Sequence, residues 1–228
     1  MEKLIQAAKQ LVAGSDAILV SASNGLSIAE GYNIFADDAN FQYYFKEFKS
    51  KYGITGLIQG VFATLPANDH QRYMQAVHQF LIDDYQPTQV FADLKKLIGD
   101  KDYFVITSNA DTHFQLNHFD QQKIYEVEGN FDGLTVNSSD WKQQQARFQQ
   151  FVADNQDKRV LQLELGIGAR NQMIKLPLMQ LVGQVSDWHY LTLNMPKEIN
   201  VLPAIKNRSI ALSGDIQRTF KELLLEDK

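Results

Sequence analysis

The amino-acid sequence predicts an α/β fold: a Rossmann-like, doubly wound and mostly parallel sheet that carries an inserted helical small domain. Short apolar, β-branched segments alternate with helical patterns along most of the chain, which is typical of a parallel sheet. Several of these segments are apolar almost throughout, as expected of strands that helices cover on both faces. Between residues 36 and 98 the alternation stops, and only helical patterns occur.

The predicted elements divide the chain into a sheet domain and two inserts. Strands are expected at 17–22, 103–108, 123–129, 159–166, 190–194 and 209–214. Helices are expected at 3–13, 112–118, 140–155, 171–183 and 215–225, and three or four more lie within 36–98. We therefore expect a sheet domain made of residues 1–35 and 99–228, a helical insert at 36–98 and a second, short insert at 130–141.

The composition is that of a globular protein and excludes several classes of function. Of the 228 residues 44% are hydrophobic and 21% charged, and the formal net charge of −5 gives no reason to expect nucleic-acid binding. No apolar run approaches the roughly 20 residues of a membrane span. The first predicted helix is amphipathic and does not fit a secretory signal. We therefore expect a cytoplasmic protein without membrane contact.

Cysteine and histidine usage bears on metal binding. The chain has no cysteine, so disulfides and thiolate zinc sites are excluded. Its five histidines show no spacing that indicates a metal site, and we interpret them as surface or core residues. We therefore expect no metal.

The first predicted strand runs into a turn of small residues that opens a helix. The turn consists of Ala22, Ser23, Asn24 and Gly25. A turn of this kind directs backbone N–H groups at a phosphate, and the helix dipole favours the negative charge. A tight turn without a ligand would require Gly25 equally, so both interpretations stay open at this point.

Small or polar residues also lie at the carboxyl ends of the other five predicted strands. Asn109 and Asp111 follow the second strand, although an Asx turn that caps the next helix would explain Asp111 as well. Glu128 ends the third strand, where a lone glutamate is usually just solvated. The later strands end at Gly166, with Gly168 just beyond it, at Asn194, and at Gly214, with Asp215 just beyond it. Because the carboxyl ends of parallel strands share one edge of a sheet, these residues together predict a dinucleotide cleft.

In this order the motifs resemble those of the sirtuins, the NAD-dependent protein deacylases and ADP-ribosyltransferases. Residues 23–36 (SNGLSIAEGYNIFA) match the motif G-A-G-x-S-x-x-S-G-I-P-x-F-R in part. The other matches are TSNAD at 107–111 to T-Q-N-x-D, EVEG at 126–129 to E-L-H-G, GIG at 166–168 to G-T-S, LN at 193–194 to I-N, and GD at 214–215 to G-D. The segments LELGIG and NGLSIAEGYN look most like the macrodomain-linked (class M) bacterial sirtuins.

The chain departs from the sirtuin pattern at chemically important positions. Glu128 stands where sirtuins have the catalytic histidine, and Ser108 stands where they have a glutamine. Ala36 replaces an arginine, and Ser23 replaces the first glycine. The four-cysteine zinc ribbon is missing, and residues 130–141 look like its short remnant.

The resemblance implies NAD as a substrate and a role for each matched residue. The turn from Ala22 to Gly25 would hold the diphosphate, and Phe35 would cover the reactive ribose carbon. Asn109 and Asp111 would hold nicotinamide and its ribose. Further cofactor-binding residues implied by the motifs are Ser23, Asn24, Ser27 and Ser108 and, on the adenosine side, Gly166, Gly168, Asn194, Gly214 and Asp215. The implied catalytic residues are Glu128, Asn109 and Asp111.

Glu128 decides which activity to expect. A carboxylate with an ordinary pKa is a poorer base at neutral pH than an imidazole, so Glu128 argues against efficient deacylation. The same carboxylate can stabilise positive charge that develops on the ribose when the nicotinamide–ribose bond breaks. We therefore expect an ADP-ribosyltransferase or NAD hydrolase. The alternatives are a non-catalytic NAD- or ADP-ribose-binding or scaffold protein, and a deacylase that uses Glu128.

The resemblance also implies partners. Sirtuins act on proteins, so a protein acceptor is expected. The likeness to class M implies a lipoylated carrier protein as acceptor or a macrodomain as partner. No nucleic-acid partner is expected.

Overall fold

The computed structural model describes residues 2–225 of the chain, and one six-stranded parallel sheet forms its centre. The strands are β1 (Ala17–Ala22), β2 (Asp102–Thr107), β3 (Ile124–Glu126), β4 (Val160–Leu165), β5 (Trp188–Asn194) and β6 (Ser209–Ser213). Their order is β3-β2-β1-β4-β5-β6, and each neighbouring pair is parallel. The predicted Rossmann-like, doubly wound fold is confirmed. The order reverses between β1 and β4, the topological switch point at which such sheets bind ligands.

Ten α-helices lie within the described residues. They are α1 (Glu2–Gly14), α2 (Asn24–Ala29), α3 (Ala39–Tyr52), α4 (Leu57–Val61), α5 (Ala67–His78), α6 (Gln89–Ile98), α7 (His113–Leu116), α8 (Ser139–Asp154), α9 (Lys175–Gln184) and α10 (Ile216–Leu224). A π-helical turn, Gln79–Asp83, continues α5. Between residues 2 and 225, every helix is too short or too polar to cross a membrane.

Alternating side chains of the strands supply two cores, one on each face of the sheet. In β1, Ile18 and Val20 join the core that contains the apolar faces of α1, α6 and α10, whereas Leu19 joins the core beneath α8 and α9. Every residue of β1 and β4 is buried. This is the pattern of strands that helices cover on both faces, as the apolar runs in the sequence predicted.

The helical insert has a third core of its own. Helices α3, α4 and α5 and the π-helical turn bury a set of mostly aromatic side chains: Phe41, Phe45, Phe48, Leu57, Tyr73, Val77 and Phe80. We refer to α3–α5 and the π-helical turn as the helical unit. Helix α6 differs from the expectation, because its apolar residues Val90, Phe91 and Leu94 pack in the core of the sheet. A parallel β1–β2 connection requires a crossover helix on the sheet, and α6 fills that place.

Two predicted elements are shorter than expected for local reasons. The helix expected from residue 171 begins at Lys175, because Asn171 Oδ1 accepts hydrogen bonds from the N–H groups of Met173, Ile174 and Lys175 and holds a turn there. Strand β3 ends at Glu126, although Val127 N–H still donates to the Thr107 carbonyl (2.9 Å).

Candidate functional site

The carboxyl ends of the strands border two cavities that meet at the turn after β1. The Asn109 cavity has a volume of about 370 Å³ and the Gly166 cavity a volume of about 500 Å³, both within the range of small-molecule sites. Ser23, Asn24 and Phe35 line both cavities. The turn and Phe35 therefore join two compartments, as a site for a two-part ligand requires.

The structure brings together every predicted site residue except Ala22. The Asn109 cavity is lined by Ser23, Asn24, Ser27, Phe35, Ser108, Asn109, Asp111 and Glu128. The Gly166 cavity is lined by Ser23, Asn24, Gly25, Phe35, Gly166, Gly168, Asn194, Gly214 and Asp215. The side chain of Ala22 lies in the core with no exposed surface, and its carbonyl accepts a hydrogen bond from Ser108 N–H (3.2 Å).

Neighbouring loops engage part of the turn's backbone. Ser23 N–H donates to the Leu165 carbonyl (3.3 Å), and Gly25 N–H donates to the Gly166 carbonyl (3.0 Å). These N–H groups are therefore occupied within the protein, in contrast to the expectation that the whole stretch from Ala22 to Gly25 points its donors at a phosphate.

Gly25 and Gly166 allow two backbones to approach each other closely. A Cβ atom on Gly25 would lie 2.5 Å from the Cα of Gly166, and a Cβ on Gly166 would lie 2.4 Å from the Cα of Gly25. Gly166 also has a φ of +64°, in the left-handed region that favours glycine. The tight turn therefore requires Gly25 for packing, whether or not a ligand binds.

Two of the departures from the sirtuin motifs touch each other. Ser108, which stands in place of a glutamine, donates from its hydroxyl to the hydroxyl oxygen of Ser23 (3.0 Å), which stands in place of a glycine. The contact links the end of β2 to the turn after β1. It leaves the hydroxyl proton of Ser23 for another acceptor.

Asn109 presents an unpartnered acceptor inside its cavity. Its Nδ2 donates to Ser27 Oγ (2.9 Å) and to the Ser23 carbonyl (3.2 Å). Its Oδ1 is buried and has no hydrogen-bond partner among the described residues. Because leaving a buried polar atom unpaired costs about 1–3 kcal/mol, a bound donor at this position would be favoured.

Asp111 combines both interpretations that the sequence left open. Its Oδ1 accepts a hydrogen bond from His113 N–H (3.1 Å), which is the local turn at the start of α7. Its Oδ2 accepts one from Ser27 Oγ (2.8 Å), and the residue lines the Asn109 cavity. A local turn and a position at the cavity therefore coexist in Asp111, whereas the N-cap of α7 is Thr112.

Glu128 lies at the exposed rim of the Asn109 cavity. Gly129 has a φ of +74°, and a Cβ there would meet the Leu134 carbonyl at 2.3 Å, so the chain turns back sharply after Glu128. No hydrogen-bond or ion-pair partner of the Glu128 carboxyl occurs within residues 2–225. Desolvation within the cavity raises the pKa of Glu128 above its ordinary value. The carboxyl is thus available to a ligand.

A buried charged network adjoins the Asn109 cavity. Glu30, Asp111 and His113 are the one group in the described part of the chain that could hold a metal ion. His113 Nδ1 faces Glu30 Oε1 at 2.5 Å, and its Nε2 faces the Leu81 carbonyl at 2.8 Å. Both ring nitrogens are therefore engaged in hydrogen bonds, so the group forms a closed network here and offers no free imidazole lone pair.

The Gly166 cavity carries two carboxylates. Glu198 Oε2 accepts a hydrogen bond from Ala169 N–H (2.9 Å), and Asp215 Oδ1 accepts one from Arg218 N–H (2.8 Å) and caps α10. The side-chain amide Nδ2 of Asn194 donates a hydrogen bond to the Ile167 carbonyl (2.8 Å). Each carboxylate keeps acceptor capacity for a further donor, such as a hydroxyl group.

Sequence reasoning missed the buried ion pair between Glu164 and Lys175. Lys175 Nζ donates to Glu164 Oε1 (3.0 Å), and both side chains are only 1% exposed. It also donates to the carbonyls of Ile167 (3.2 Å) and Glu198 (2.9 Å), both in segments that shape the Gly166 cavity. The signal that would have found the pair is the glutamate in the buried strand LQLELG, because a buried carboxylate requires a partner.

Comparison with known proteins points to one group of relatives. No profile of a known family matches the chain. A protein named protein ADP-ribosyltransferase from Staphylococcus aureus is 23% identical, over 93% of this chain and 84% of its own length. A solved complex of a Sir2 homologue with NAD has a TM-score of 0.60 and 14% identity, covering 96% of this chain and 91% of the other. A structure of a Sir2 enzyme, described for its mechanism and regulation, has a TM-score of 0.56 and 12% identity, covering 98% and 97%.

The fold and the two joined cavities define a Rossmann-like protein with a ligand cleft at the switch point of its sheet. Within that class, the chain has the fold of the Sir2 proteins, the sirtuins. The resemblance seen in the sequence motifs is thereby confirmed.

Proposed function

We propose that the protein is an NAD-dependent protein ADP-ribosyltransferase, which cleaves the nicotinamide–ribose bond of NAD and transfers ADP-ribose to a protein. One observation carries the proposal: Glu128 and the unpartnered Asn109 Oδ1 share a cavity that continues, past Ser23, Asn24 and Phe35, into a second cavity. The relative from Staphylococcus aureus is named for the same activity, which supports the proposal.

The residues present fit the parts of NAD. In the Asn109 cavity, the amide oxygen of Asn109 and the carboxylate of Asp111 suit the N–H donors of a carboxamide. Between the cavities, the free hydroxyl proton of Ser23 suits a diphosphate oxygen. In the Gly166 cavity, Glu198 and Asp215 suit ribose hydroxyls.

The chain's own residues would perform the cleavage through electrostatics. Bound NAD supplies the ADP-ribosyl group and nicotinamide as the leaving group. Glu128 places negative charge where positive charge develops on the ribose. This role needs a carboxylate and no proton transfer, so Glu128 in place of the sirtuin histidine favours ADP-ribosyl transfer over deacylation.

A protein acceptor fits the surroundings of the Asn109 cavity. Phe35 is 55% exposed and Phe62 is 80% exposed, and both line this cavity. A solved structure of a Sir2 protein bound to a propionylated peptide (TM-score 0.54, 12% identity, 96% of this chain and 97% of the other) supports a peptide-like acceptor here. A lipoylated carrier protein, a macrodomain partner and a cytoplasmic location stay predictions from the sequence.

A non-catalytic protein that binds NAD or ADP-ribose is the second candidate function. Ser108 and Glu128 favour it, because both line the Asn109 cavity and neither supplies the glutamine amide or the imidazole base that sirtuins have at these positions. This candidate predicts ligand binding without release of nicotinamide.

Ligand binding and nicotinamide release test the two candidates together. At roughly 100 times its dissociation constant, NAD or ADP-ribose should raise the free energy of unfolding by about 2.7 kcal/mol. We expect the wild type to release nicotinamide and Glu128→Gln to do so about 100-fold more slowly with unchanged NAD affinity. The control is Glu222→Gln on α10, outside both cavities.

Each outcome separates the candidates. Binding without release in the wild type contradicts the transferase and supports the binding protein, and absence of binding contradicts both. Equal release by the wild type and Glu128→Gln removes Glu128 from catalysis. Mass spectrometry of acceptor proteins then distinguishes added ADP-ribose from a lost acyl group.

A further inference from the structure

His113 is a buried histidine between the helical unit and the Asn109 cavity. Its side chain has no exposed surface. The ring of Tyr85 stacks on the imidazole with 3.9 Å between ring centroids, and Tyr32 meets it edge-on at 4.7 Å. The surroundings fix the ring in one orientation.

The hydrogen bonds of His113 fit its doubly protonated form. A carbonyl oxygen only accepts, so the contact between Nε2 and the Leu81 carbonyl (2.8 Å) places a proton on Nε2. The contact between Nδ1 and Glu30 Oε1 (2.5 Å) also requires a proton. The other oxygen of Glu30 accepts hydrogen bonds from the hydroxyls of Tyr85 (2.8 Å) and Thr88 (3.2 Å), as a carboxylate does. An imidazolium facing a carboxylate satisfies all of these contacts.

The same histidine holds Asp111 in two ways. Its backbone N–H donates to Asp111 Oδ1 (3.1 Å), and its Nδ1 lies 3.6 Å from Asp111 Oδ2. Ser27 Oγ donates to that second oxygen (2.8 Å). His113 therefore contacts both oxygens of the Asp111 carboxylate, and Ser27 holds the second one as well.

The partner of Nε2 comes from an irregular part of the helical unit. Leu81 lies in the π-helical turn Gln79–Asp83, where Asp84 N–H donates five residues back to the Gln79 carbonyl (2.9 Å). Such turns occur frequently at functional sites. Here the Leu81 carbonyl accepts from the imidazole, and Leu81 also lines the Asn109 cavity. The helical unit is therefore joined to Asp111 through one ring.

We propose that His113 is a positioning residue for the nicotinamide end of the site. As an imidazolium between Glu30 and the Leu81 carbonyl, it fixes the carboxylate of Asp111 and ties it to the helical unit. This inference rests on the proposed function, because it assigns to Asp111 a contact with the nicotinamide half of NAD. One imidazolium and two carboxylates leave one net negative charge, which suits the positively charged nicotinamide ring.

The groups that face His113 account for its charge. Burial works to lower the pKa of His113, but the carboxylates of Asp111 and Glu30 and the Leu81 carbonyl outweigh it, so this pKa stands above its ordinary value. Burial also raises the pKa of Glu30, which the hydrogen bond from His113 partly offsets. Within residues 2–225, Tyr32 and Tyr85 are the further titratable groups whose rings contact His113.

Two ligands that differ only in the nicotinamide half provide the first test. Calorimetric affinities for NAD and ADP-ribose are compared in the wild type, His113→Gln, Glu30→Gln and the exposed control His70→Gln. We expect both buried-site variants to bind NAD about tenfold more weakly and to keep wild-type affinity for ADP-ribose. Loss of affinity for both ligands alike, or for neither, overturns the proposal. A wild type that binds neither ligand instead overturns the proposed function.

The protonation of the ring is tested without any ligand. Nitrogen-15 NMR of the wild type reports both ring nitrogens of His113, whose signals are assigned by their loss in His113→Gln. We expect both nitrogens to be protonated at about pH 7.5, above the ordinary pKa of histidine. An unprotonated Nδ1 at that pH overturns the imidazolium, and this result does not depend on the binding of any ligand.

Discussion

At the scale of single residues, Glu128 carries the main chemical difference between this chain and the sirtuin pattern. It occupies the position of the catalytic histidine, lines the Asn109 cavity and has no partner among residues 2–225. An exposed carboxylate without a partner is free to act on a ligand, whereas a paired one would serve structure. Glu128 therefore offers a negative charge that can stabilise a cationic ribose, where the sirtuin histidine offers a general base.

The pH dependence of nicotinamide release should report Glu128. Desolvation raises the pKa of this carboxyl, and the carboxylate is the form that stabilises positive charge. We therefore expect the rate to be highest above the pKa of Glu128 and to fall as the pH drops through it. Steady-state rates between about pH 4.5 and 8 measure this profile. If the rate of Glu128→Gln fell at acidic pH in the same way as that of the wild type, the titration of another group would cause the fall.

The contact between Gly25 and Gly166 predicts a severe effect for a single methyl group. In Gly25→Ala the new Cβ would lie 2.5 Å from the Cα of Gly166, so the two turns must separate. We expect a loss of about 1–3 kcal/mol in the free energy of unfolding, together with weaker NAD binding. Gly14→Ala is the matched control, because nothing lies within 4 Å of its Cβ position. Urea unfolding of both variants measures the difference, and equal stability would contradict the close approach.

At the scale of elements, one lysine joins three segments beneath the Gly166 cavity. Lys175 begins α9 and donates to Glu164 in β4, to the Ile167 carbonyl after β4 and to the Glu198 carbonyl after β5. Glu164 also accepts hydrogen bonds from the hydroxyls of Tyr190 and Thr192. The strand ends are therefore braced by a network whose charged groups, Lys175 and Glu164, are buried.

Removing one partner of this ion pair should lower the free energy of unfolding strongly, and removing both charges should lower it less. Lys175→Met leaves Glu164 buried without its cation, which should lower the free energy of unfolding by about 3 kcal/mol. The double variant Lys175→Met with Glu164→Gln removes the unpaired charge and should be more stable than the single one. A double-mutant cycle by urea unfolding measures the coupling. Strictly additive effects would show that the two side chains do not interact.

At the scale of the whole molecule, three cores divide the protein into a sheet region and the helical unit. The helical unit packs around its own aromatic residues, and α6 belongs with the sheet. The two regions meet at His113 and at the Asn109 cavity, where Leu81 and Ile58 of the helical unit are lining residues. The site is therefore built at the junction of two packing units.

A substitution inside the helical unit should show whether this unit unfolds locally and independently of the sheet. The Cβ of Gly60→Ala would lie 2.1 Å from the ring of Tyr73, which is buried and donates to the Leu57 carbonyl (2.7 Å). We expect faster amide hydrogen exchange in α3–α5 with little change in β1 and β4. Gly183→Ala in α9, whose Cβ would make an ordinary 3.6 Å contact, is the control. Equal acceleration in the strands would show a single cooperative unit.

The stability of the whole chain should depend on pH through the pair of His113 and Glu30. The pKa of His113 is raised in the folded state, so the stability that its protonation contributes is present near and below the ordinary pKa of histidine and is lost as the pH rises through the raised pKa. The wild type should therefore lose its stability advantage over His113→Gln as the pH rises above about 6.5, the ordinary pKa of histidine. Urea unfolding across this range measures the difference. If the difference in the free energy of unfolding between the wild type and His113→Gln did not change with pH, the raised pKa of His113 would be contradicted.

Much of the fold could be predicted because its signals are local in the sequence. Short, largely apolar segments marked all six strands, since a strand covered on both faces is mostly apolar along its length. Small and polar residues at the strand ends marked the edge where the cavities lie. The assignment of α6 to the helical insert did not fit its packing, because an apolar helix face carries no mark of which core it joins.

By itself, the sequence determined the class of fold and the edge of the sheet at which the cavities lie, and it named part of their lining, since hydrophobic periodicity and small turn residues act within a few positions of the chain. Only the tertiary structure decided that the N–H groups of Ser23 and Gly25 donate hydrogen bonds to the carbonyls of neighbouring loops. It also decided the hydrogen bond between Ser108 and Ser23 and the pairing of Glu30 with His113. These contacts join residues that are far apart in the chain. Their distances and hydrogen bonds exist only once the strands lie side by side.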